Sequence, residues 1–270
     1  MSKRFMVSLP NSSHGKSAYL VARYAAIEAG KIVKKRFAIH NEFQIKGCRN
    51  LVTEADLMSE KKIIEILREE FPIHGILSEE AGDSNKERDY VWIIDPLDGT
   101  NNFHFGIPFF CINIALAYRG QVLTGVTYDP MRSEMFYAVK GKGVFLNGRK
   151  VTVTHVGTLA DAAVGVDLGY IPDRSKEVLK LTTALWSQVH CIRLMGSSSL
   201  GMAYVSCGRL GLYLHKCIYP WDIASGLLLV REAGGRVVNF GGNEAILEDH
   251  DIIAGSLGLL EQFNNWMAVV

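Results

Sequence analysis

The segment VWIIDPLDGTNNF, residues 91 to 103, constrains the fold more than any other stretch of the chain. The apolar run Tyr90 to Ile94 reads as a buried strand that delivers Asp95 to its end, with Asp98 three residues later and Gly99 and Thr100 directly behind it. In an extended chain the two carboxylates would stand about 10 Å apart, because a strand rises about 3.3 Å per residue. That is too far to share a cation. Pro96 fixes φ at about −65° and favours a turn, and in a helical turn side chains at i and i+3 come within about 5 to 6 Å. The expectation is therefore a strand that breaks into a helical turn, with Asp95 and Asp98 facing one pocket. Carboxylates this close repel unless a cation lies between them, and hard oxygen donors suit Mg²⁺ or Mn²⁺. Gly99 lets backbone approach a ligand, and the amides of Gly99, Thr100 and Asn101 would point from a helix N-terminus, where phosphate is favoured. An acidic turn capped by Thr100, with no ligand, is the plainer alternative.

The rest of the chain can surround such a pocket. Its 270 residues are 48% hydrophobic and 21% charged, which excludes disordered, collagen-like and coiled-coil classes. Lys and Arg number 29 against 28 Asp and Glu, so no overall field draws the protein to nucleic acid or an anionic membrane, and an anionic ligand must be held locally. The five cysteines, Cys48, Cys111, Cys191, Cys207 and Cys217, are scattered and form no C-x-x-C pair, so they read as free thiols in a cytoplasmic protein. The apolar run Phe5 to Leu9 is too short for a signal segment, and Pro108 to Tyr118 falls below the roughly 18 to 20 residues of a membrane span.

Periodicity divides the chain into a mobile leader, residues 1–16, an α+β lobe over 17–150 and an α/β lobe over 151–270 that completes the site. The first lobe opens with an amphipathic helix from Ser17 to Phe37 and a second one capped by Thr53 and Asp56, which stops near Pro72. A short strand at Gly75 to Leu77, the charged linker DSNKERD, and strands at 90–94, 110–118, 125–128, 134–139 and 143–146 follow, with an Asn147-Gly148 hairpin turn. This meander predicts a mixed, largely antiparallel first sheet. Beyond Val151, strands at 163–166, 190–194 and 210–215 alternate with helices near 175–188, after Gly196, and through WDIASGLLLVREAGG.

Glu79 and Glu80 follow a strand, and Asp222 lies in the first turn of a helix, where the macrodipole favours a carboxylate. Separately these are a solvated acidic edge and a simple cap. With Asp95 and Asp98, Glu79 and Asp222 make four acidic side chains at the ends of regular elements, which is what holding two metals requires. DPLDGTNNF, the SEE of Ser78 to Glu80 and WDIASGLLLVREAGG, together with LVTEAD, KGKGVFLNG and MGSSSLG, resemble the motifs of the inositol monophosphatase family over nearly the whole chain.

The resemblance implies a layered αβαβα sandwich, usually a homodimer, that hydrolyses a small phosphorylated metabolite with two to three Mg²⁺ per subunit, Mn²⁺ substituting. Carried over, Glu79, Asp95 and the Leu97 carbonyl would hold one metal, and Asp95, Asp98 and Asp222 the second. Glu79 and Thr100 would orient the attacking water, the backbone of Gly99 and Thr100 would cradle phosphate, and Gly196, Ser197 and Ser198 would line a sugar pocket. Asp56 matches the aspartate near an optional third metal. Asn50 and His215 depart from the inositol-type pattern, which often has Asp and Glu there; His215 can donate as well as accept, and so leaves the substrate open.

Two near misses are set aside. GVFLNGRK has Arg149 where a P-loop needs Lys and lies in a hairpin. Ser197 to Ser199 have no G-x-S-x-G elbow and no histidine partner assigned to them, so they read as a pocket lip or helix cap. Three readings remain in view. The first is a Mg²⁺-dependent phosphatase of an inositol-1-phosphate-like ester, with fructose-1,6-bisphosphate, histidinol phosphate and 3′-phosphoadenosine 5′-phosphate as alternatives. The second is an aspartyl-phosphate phosphatase, whose D-x-D-G-T lacks one residue present here. The third is a non-catalytic regulatory or binding protein.

Overall fold

Side chains alternate strictly along a strand, so a buried sheet can serve two cores at once. The strand Cys111–Tyr118 does this: Cys111, Ala115 and Ala117 face one core, and Ile112, Ile114 and Leu116 the other. The computed structural model describes residues 9–37, 43–47, 50–84 and 87–269. Helix α1 (Ala18–Phe37) comes first, then a separate antiparallel hairpin of β1 (Phe43–Gly47) and β2 (Asn50–Thr53), then α2 (Glu54–Glu70).

An eight-stranded sheet is built from β3 (Gly75–Ser78), β4 (Gly82–Ser84), β5 (Tyr90–Asp98), β6 (Cys111–Tyr118), β7 (Gln121–Asp129), β8 (Glu134–Val139), β9 (Gly143–Leu146) and β10 (Arg149–Val151). Its order is β10-β9-β8-β7-β6-β5-β3-β4, and among the described residues only its β3–β5 pair is parallel. The short helix α3 (Thr100–His104) leaves the end of β5.

The second sheet comprises β11 (Ala163–Asp167), β12 (Cys191–Leu194), β13 (Leu212–His215), β14 (Arg236–Val238) and β15 (Ile252–Gly255), ordered β12-β11-β13-β15-β14. Strands β11, β12 and β13 run parallel, and helices α4 (Pro172–Leu185), α5 (Ser198–Ser206), α6 (Pro220–Glu232) and α7 (Leu257–Met267) complete the chain.

Three cores define the layers. Val21, Ala25 and Ala29 of α1 and Ile63 and Leu67 of α2 pack with Trp92 and Ile114 on one face of the large sheet. Leu200 and Met202 of α5 and Ile223, Leu227 and Leu229 of α6 fill the space between the two sheets. Leu185 and Phe263 cover the outer face of the small sheet with Val164 and Leu214. The architecture is the αβαβα sandwich, with a largely antiparallel first sheet.

Two places differ from the sequence reading. The linker 83–89 contains the end of strand β4, and the segment 95–98, expected as a helical turn, remains in β5 and ends in a register shift. Residues 1–8 and Cys48 lie outside the described residues, while in residues 9–16 Lys16 Nζ donates to Glu70 Oε1 at the end of α2 (2.5 Å). The hairpin β1–β2, strands β14 and β15 and helix α7 were not anticipated. Among the described residues no helix is long and apolar enough to cross a membrane.

Candidate functional site

The register shift in β5 creates the site. Asp95 pairs with Asn113 and Asp98 with Cys111, so Pro96 and Leu97 together oppose Ile112 alone. This one extra residue is a bulge. Pro96 has no N–H for the ladder, and the Leu97 N–H donates instead to Asp95 Oδ1 (3.0 Å). Ser59 Oγ of α2 fixes the displaced Pro96 carbonyl (2.7 Å). Residues 95 and 98 differ in parity and would face opposite sides of a regular strand; the extra residue returns Asp98 to the face of Asp95. The two carboxylates thus meet, as expected from sequence, but through a bulge rather than a helical turn.

Asp222 joins them from the first turn of α6. One oxygen from each of Asp95, Asp98 and Asp222 lies within 4.8 Å of the others. The end of α6 is held from below: Asn113 Nδ2 donates to the Trp221 carbonyl (2.5 Å), Ser199 Oγ donates to the Asp222 carbonyl (2.9 Å), and Asn113 Oδ1 accepts from Thr127 Oγ1 (3.0 Å) and from Ser225 Oγ. Asp222 Oδ2 accepts the Tyr219 N–H (2.7 Å) and so caps its own helix.

Glu79, just beyond β3, donates its amide to the Ile94 carbonyl (3.2 Å) and lines the same cavity, outside the close trio. Its turn is anchored by Glu60 Oε1, which accepts from Ser78 Oγ and from the amides of Glu80 (3.1 Å) and Ala81 (2.9 Å).

The cavity, about 590 Å³, is lined by Glu79, Asp95, Asp98 and Asp222, and among the described residues no Lys or Arg lines it. Burial, and then the charges of Glu79, Asp98 and Asp222, push Asp95 well above the usual carboxylate range. Burial, then Asp98 and Glu79, do the same to Asp222. Carboxylate oxygens gathered this closely from Asp95, Asp98 and Asp222, with Glu79 on the same cavity, fit a divalent cation with hard oxygen ligands. Asp95, Asp98 and Asp222 could hold one between them, and Glu79 and Leu97 also line the cavity.

Thr100 and Asp56 form a buried pair behind the cluster. Thr100 Oγ1 lies 2.9 Å from Asp56 Oδ1 and 3.0 Å from the Leu97 carbonyl, to both of which it can donate. Asp56 Oδ2 accepts from the Thr53 amide (2.8 Å) and hydroxyl (2.5 Å), so the carboxylate that caps α2 also orients Thr100. Burial raises the Asp56 pKa, and the Thr53 and Thr100 bonds pull it back. Gly99, at φ +97°, begins α3 and leaves no room for a Cβ, which would lie 3.0 Å from the Gly196 carbonyl and 3.1 Å from that of Phe109.

Across the cavity stand Gly196, Ser197, Ser198 and His215. Ser197 Oγ (2.5 Å), the Ser199 amide (2.8 Å) and the Ser198 amide and hydroxyl (both 3.3 Å) all donate to Asp98. His215 Nδ1 accepts the Cys217 N–H (3.0 Å), which places its ring proton on Nε2, and burial pushes its pKa down to about 3. It is a neutral residue with a donor to offer. Asn102, Asp167, Tyr170 and Tyr219 also line the cavity and were not foreseen.

Fold and site together define an α/β sandwich protein with a cluster of carboxylates at the bulged end of a central strand. Comparison with known proteins agrees. The chain matches the inositol monophosphatase family over residues 16–267 and belongs to that family. It is 36% identical over 255 residues to inositol monophosphatase 2 of Solanum lycopersicum, covering 91% of this chain and 96% of that one. It is 37% identical over 244 residues to the Nus factor SuhB of Pseudomonas aeruginosa, covering 87% and 90%. Among solved structures, an inositol monophosphatase from Anabaena superposes with a TM-score of 0.84 at 31% identity, covering 93% of this chain and 95% of the other.

Proposed function

We propose that the protein is a Mg²⁺-dependent phosphatase of a small sugar or polyol phosphate monoester, with inositol-1-phosphate as the reference substrate. The observation that carries this reading is the close trio Asp95, Asp98 and Asp222, whose carboxylate oxygens lie within 4.8 Å of one another, with Glu79 lining the same cavity. Uncatalysed phosphate-monoester hydrolysis is so slow that enzymes accelerate it by up to about 10²¹-fold, more than one general base supplies. Bound divalent cations supply an acidified water and charge neutralisation at the ester and leaving oxygens.

The chain's own residues do the rest. Asp95, Asp98, Asp222, Glu79 and the Leu97 carbonyl hold the ions, and Asp56 stands near a further one. With its hydroxyl proton directed toward Asp56, Thr100 turns an oxygen lone pair toward the cavity and, with Glu79, orients water. The backbone at Gly99 and Thr100 receives the phosphate, and Gly196, Ser197, Ser198 and the His215 Nε2–H face the remainder of the substrate.

Purified protein in millimolar Mg²⁺ should release phosphate from inositol-1-phosphate, with fructose-1,6-bisphosphate, histidinol phosphate and 3′-phosphoadenosine 5′-phosphate as competitors in the same panel. No release from any of the four would overturn the reading. Trapping a phospho-Asp95 would favour an aspartyl-phosphate mechanism instead. The similarity to proteins named Nus factor SuhB favours a second reading, a regulatory role carried on the same fold. Loss of that role in a variant that keeps full hydrolysis would separate the two. A cytoplasmic homodimer is part of the proposal, and light scattering of the purified chain tests the dimer.

A further inference from the structure

The turn Met195–Gly196 between β12 and α5 carries the serine donors that meet Asp98, and both edges of its backbone are held. On one edge, Asp167 Oδ1 at the end of β11 accepts the Gly196 amide (2.6 Å) and the Met195 amide (3.1 Å). On the other, Asn102 Nδ2 lies 3.0 Å from the Met195 carbonyl and 3.2 Å from the Gly196 carbonyl. Asp167 is itself tied down, because Tyr213 Oη donates to its Oδ2 (2.7 Å).

The Tyr213 ring is fully buried in a slot made by two glycines. A Cβ on Gly201 of α5 would lie 2.3 Å from that ring, and one on Gly165 of β11 would lie 3.0 Å from it. A phenol placed so tightly has one direction for its hydroxyl, and that direction is Asp167. Among the described residues Asp167 accepts one side-chain and two backbone donors and no cation, and those three donors are what offset the cost of burying its carboxyl group.

From this continuous path we infer that Asp167 and Tyr213 are positioning residues for the cation centre. Tyr213 registers Asp167, Asp167 sets the Met195–Gly196 turn, and the turn aims the Ser197, Ser198 and Ser199 donors that fix the orientation of Asp98. Neither residue belongs to the close carboxylate trio. The inference rests on the metal-dependent reading of the site given above.

The test is Mn²⁺ binding, followed by titration calorimetry on folded protein, together with the Mg²⁺ dependence of hydrolysis, in D167A, D167N and Y213F. Losing a group that orients a metal ligand weakens binding by about 10- to 100-fold. D167A should show that loss. D167N keeps an acceptor for the two amides and can donate to Tyr213 Oη, so it should recover most of the affinity. Y213F should fall between them, and in all three the half-saturating Mg²⁺ should shift by the same factor as Mn²⁺ affinity.

Wild-type affinity in folded D167A, or a D167N no better than D167A, would overturn the inference. If D167A does not fold, Y213F with unchanged Mn²⁺ affinity does so alone. A wild-type protein that binds Mn²⁺ but hydrolyses no ester would instead sink the phosphatase reading, and the Mn²⁺ affinities would still decide the roles of Asp167 and Tyr213.

Discussion

Asp95 and Asp98 lie three residues apart on one strand and are both buried, yet they are supported in opposite ways. Asp95 accepts the Leu97 amide and otherwise faces Glu79, Asp98 and Asp222. Asp98 accepts hydrogen bonds from Ser197, Ser198 and Ser199, so the donors pull its pKa back down after burial has raised it. The large sheet therefore contributes Asp95 and Asp98, and the start of α5 contributes the donors that keep Asp98 in place. A site built this way is under electrostatic stress on one side and braced on the other, and substitutions on the two sides should separate activity from stability.

The largest contrast is expected from D95N. Phosphate release should fall by about 10³-fold or more, equivalent to about 4 kcal/mol of barrier. Without metal the variant should melt higher than wild type, because one of several mutually repelling carboxylates has left the cluster, and Mg²⁺ should no longer raise its Tm much. Thermal melts with and without Mg²⁺ read both effects; a metal-free Tm below wild type would break the comparison. D98N should behave oppositely in stability. Its amide turns a donor toward the serine donors, and stranding them costs about 1 to 3 kcal/mol, a metal-free Tm drop of several degrees.

T100A comes next. It leaves the ligand set intact and removes the hydroxyl that Asp56 orients, so kcat should fall about 10²-fold with little change in KM. Equal losses in T100A and in wild type depleted of Mg²⁺, with the same KM change, would show that Thr100 acts on metal binding instead.

The pH dependence of stability sharpens the contrast further. Burial raises Asp167 to about 7 and lifts Asp95 and Asp222 well above the usual carboxylate range. A folded pKa above the unfolded value of about 3.9 means that the folded state binds the proton more tightly; that contribution is complete below about pH 4 and is lost as pH rises through the folded pKa. The metal-free Tm should therefore decline between about pH 5 and 8. The Mg²⁺-induced rise should grow over the same range, since the ligands must lose protons to bind. The smallest effect is expected from S197A, which removes one of several donors to Asp98: about 1 kcal/mol of stability, read by urea titration.

Much of this was legible in the chain and some was not, for physical reasons. The apolar run ending at Asp95, the Thr53 and Asp56 cap, the Asn147-Gly148 turn and the order of the three acidic motifs are local signals, and local chemistry decides them. The bulge was not legible, because Pro96 is compatible with a turn or with an irregular strand, and only pairing against β6 selects between them. Glu60 and Ser59 could have been found. They share the buried face of α2 with Asp56 and Ile63, and three polar groups on an otherwise apolar stripe signal partners waiting in the fold. Asp167 could not, since its role depends on β11 lying beside β13, with Asp167 in register with His215, and on a turn nearly thirty residues further along.

The extra residue in β5 resembles an edge dislocation in a crystal: a local fault that cannot be healed without moving everything on one side of it. Deleting Leu97 would give the ladder perfect registry and, in the same stroke, swing Asp98 through the sheet to the far side. Selection for a smoother sheet and selection for a pocket thus oppose each other at a single codon, and a chain that keeps the pocket must keep the fault.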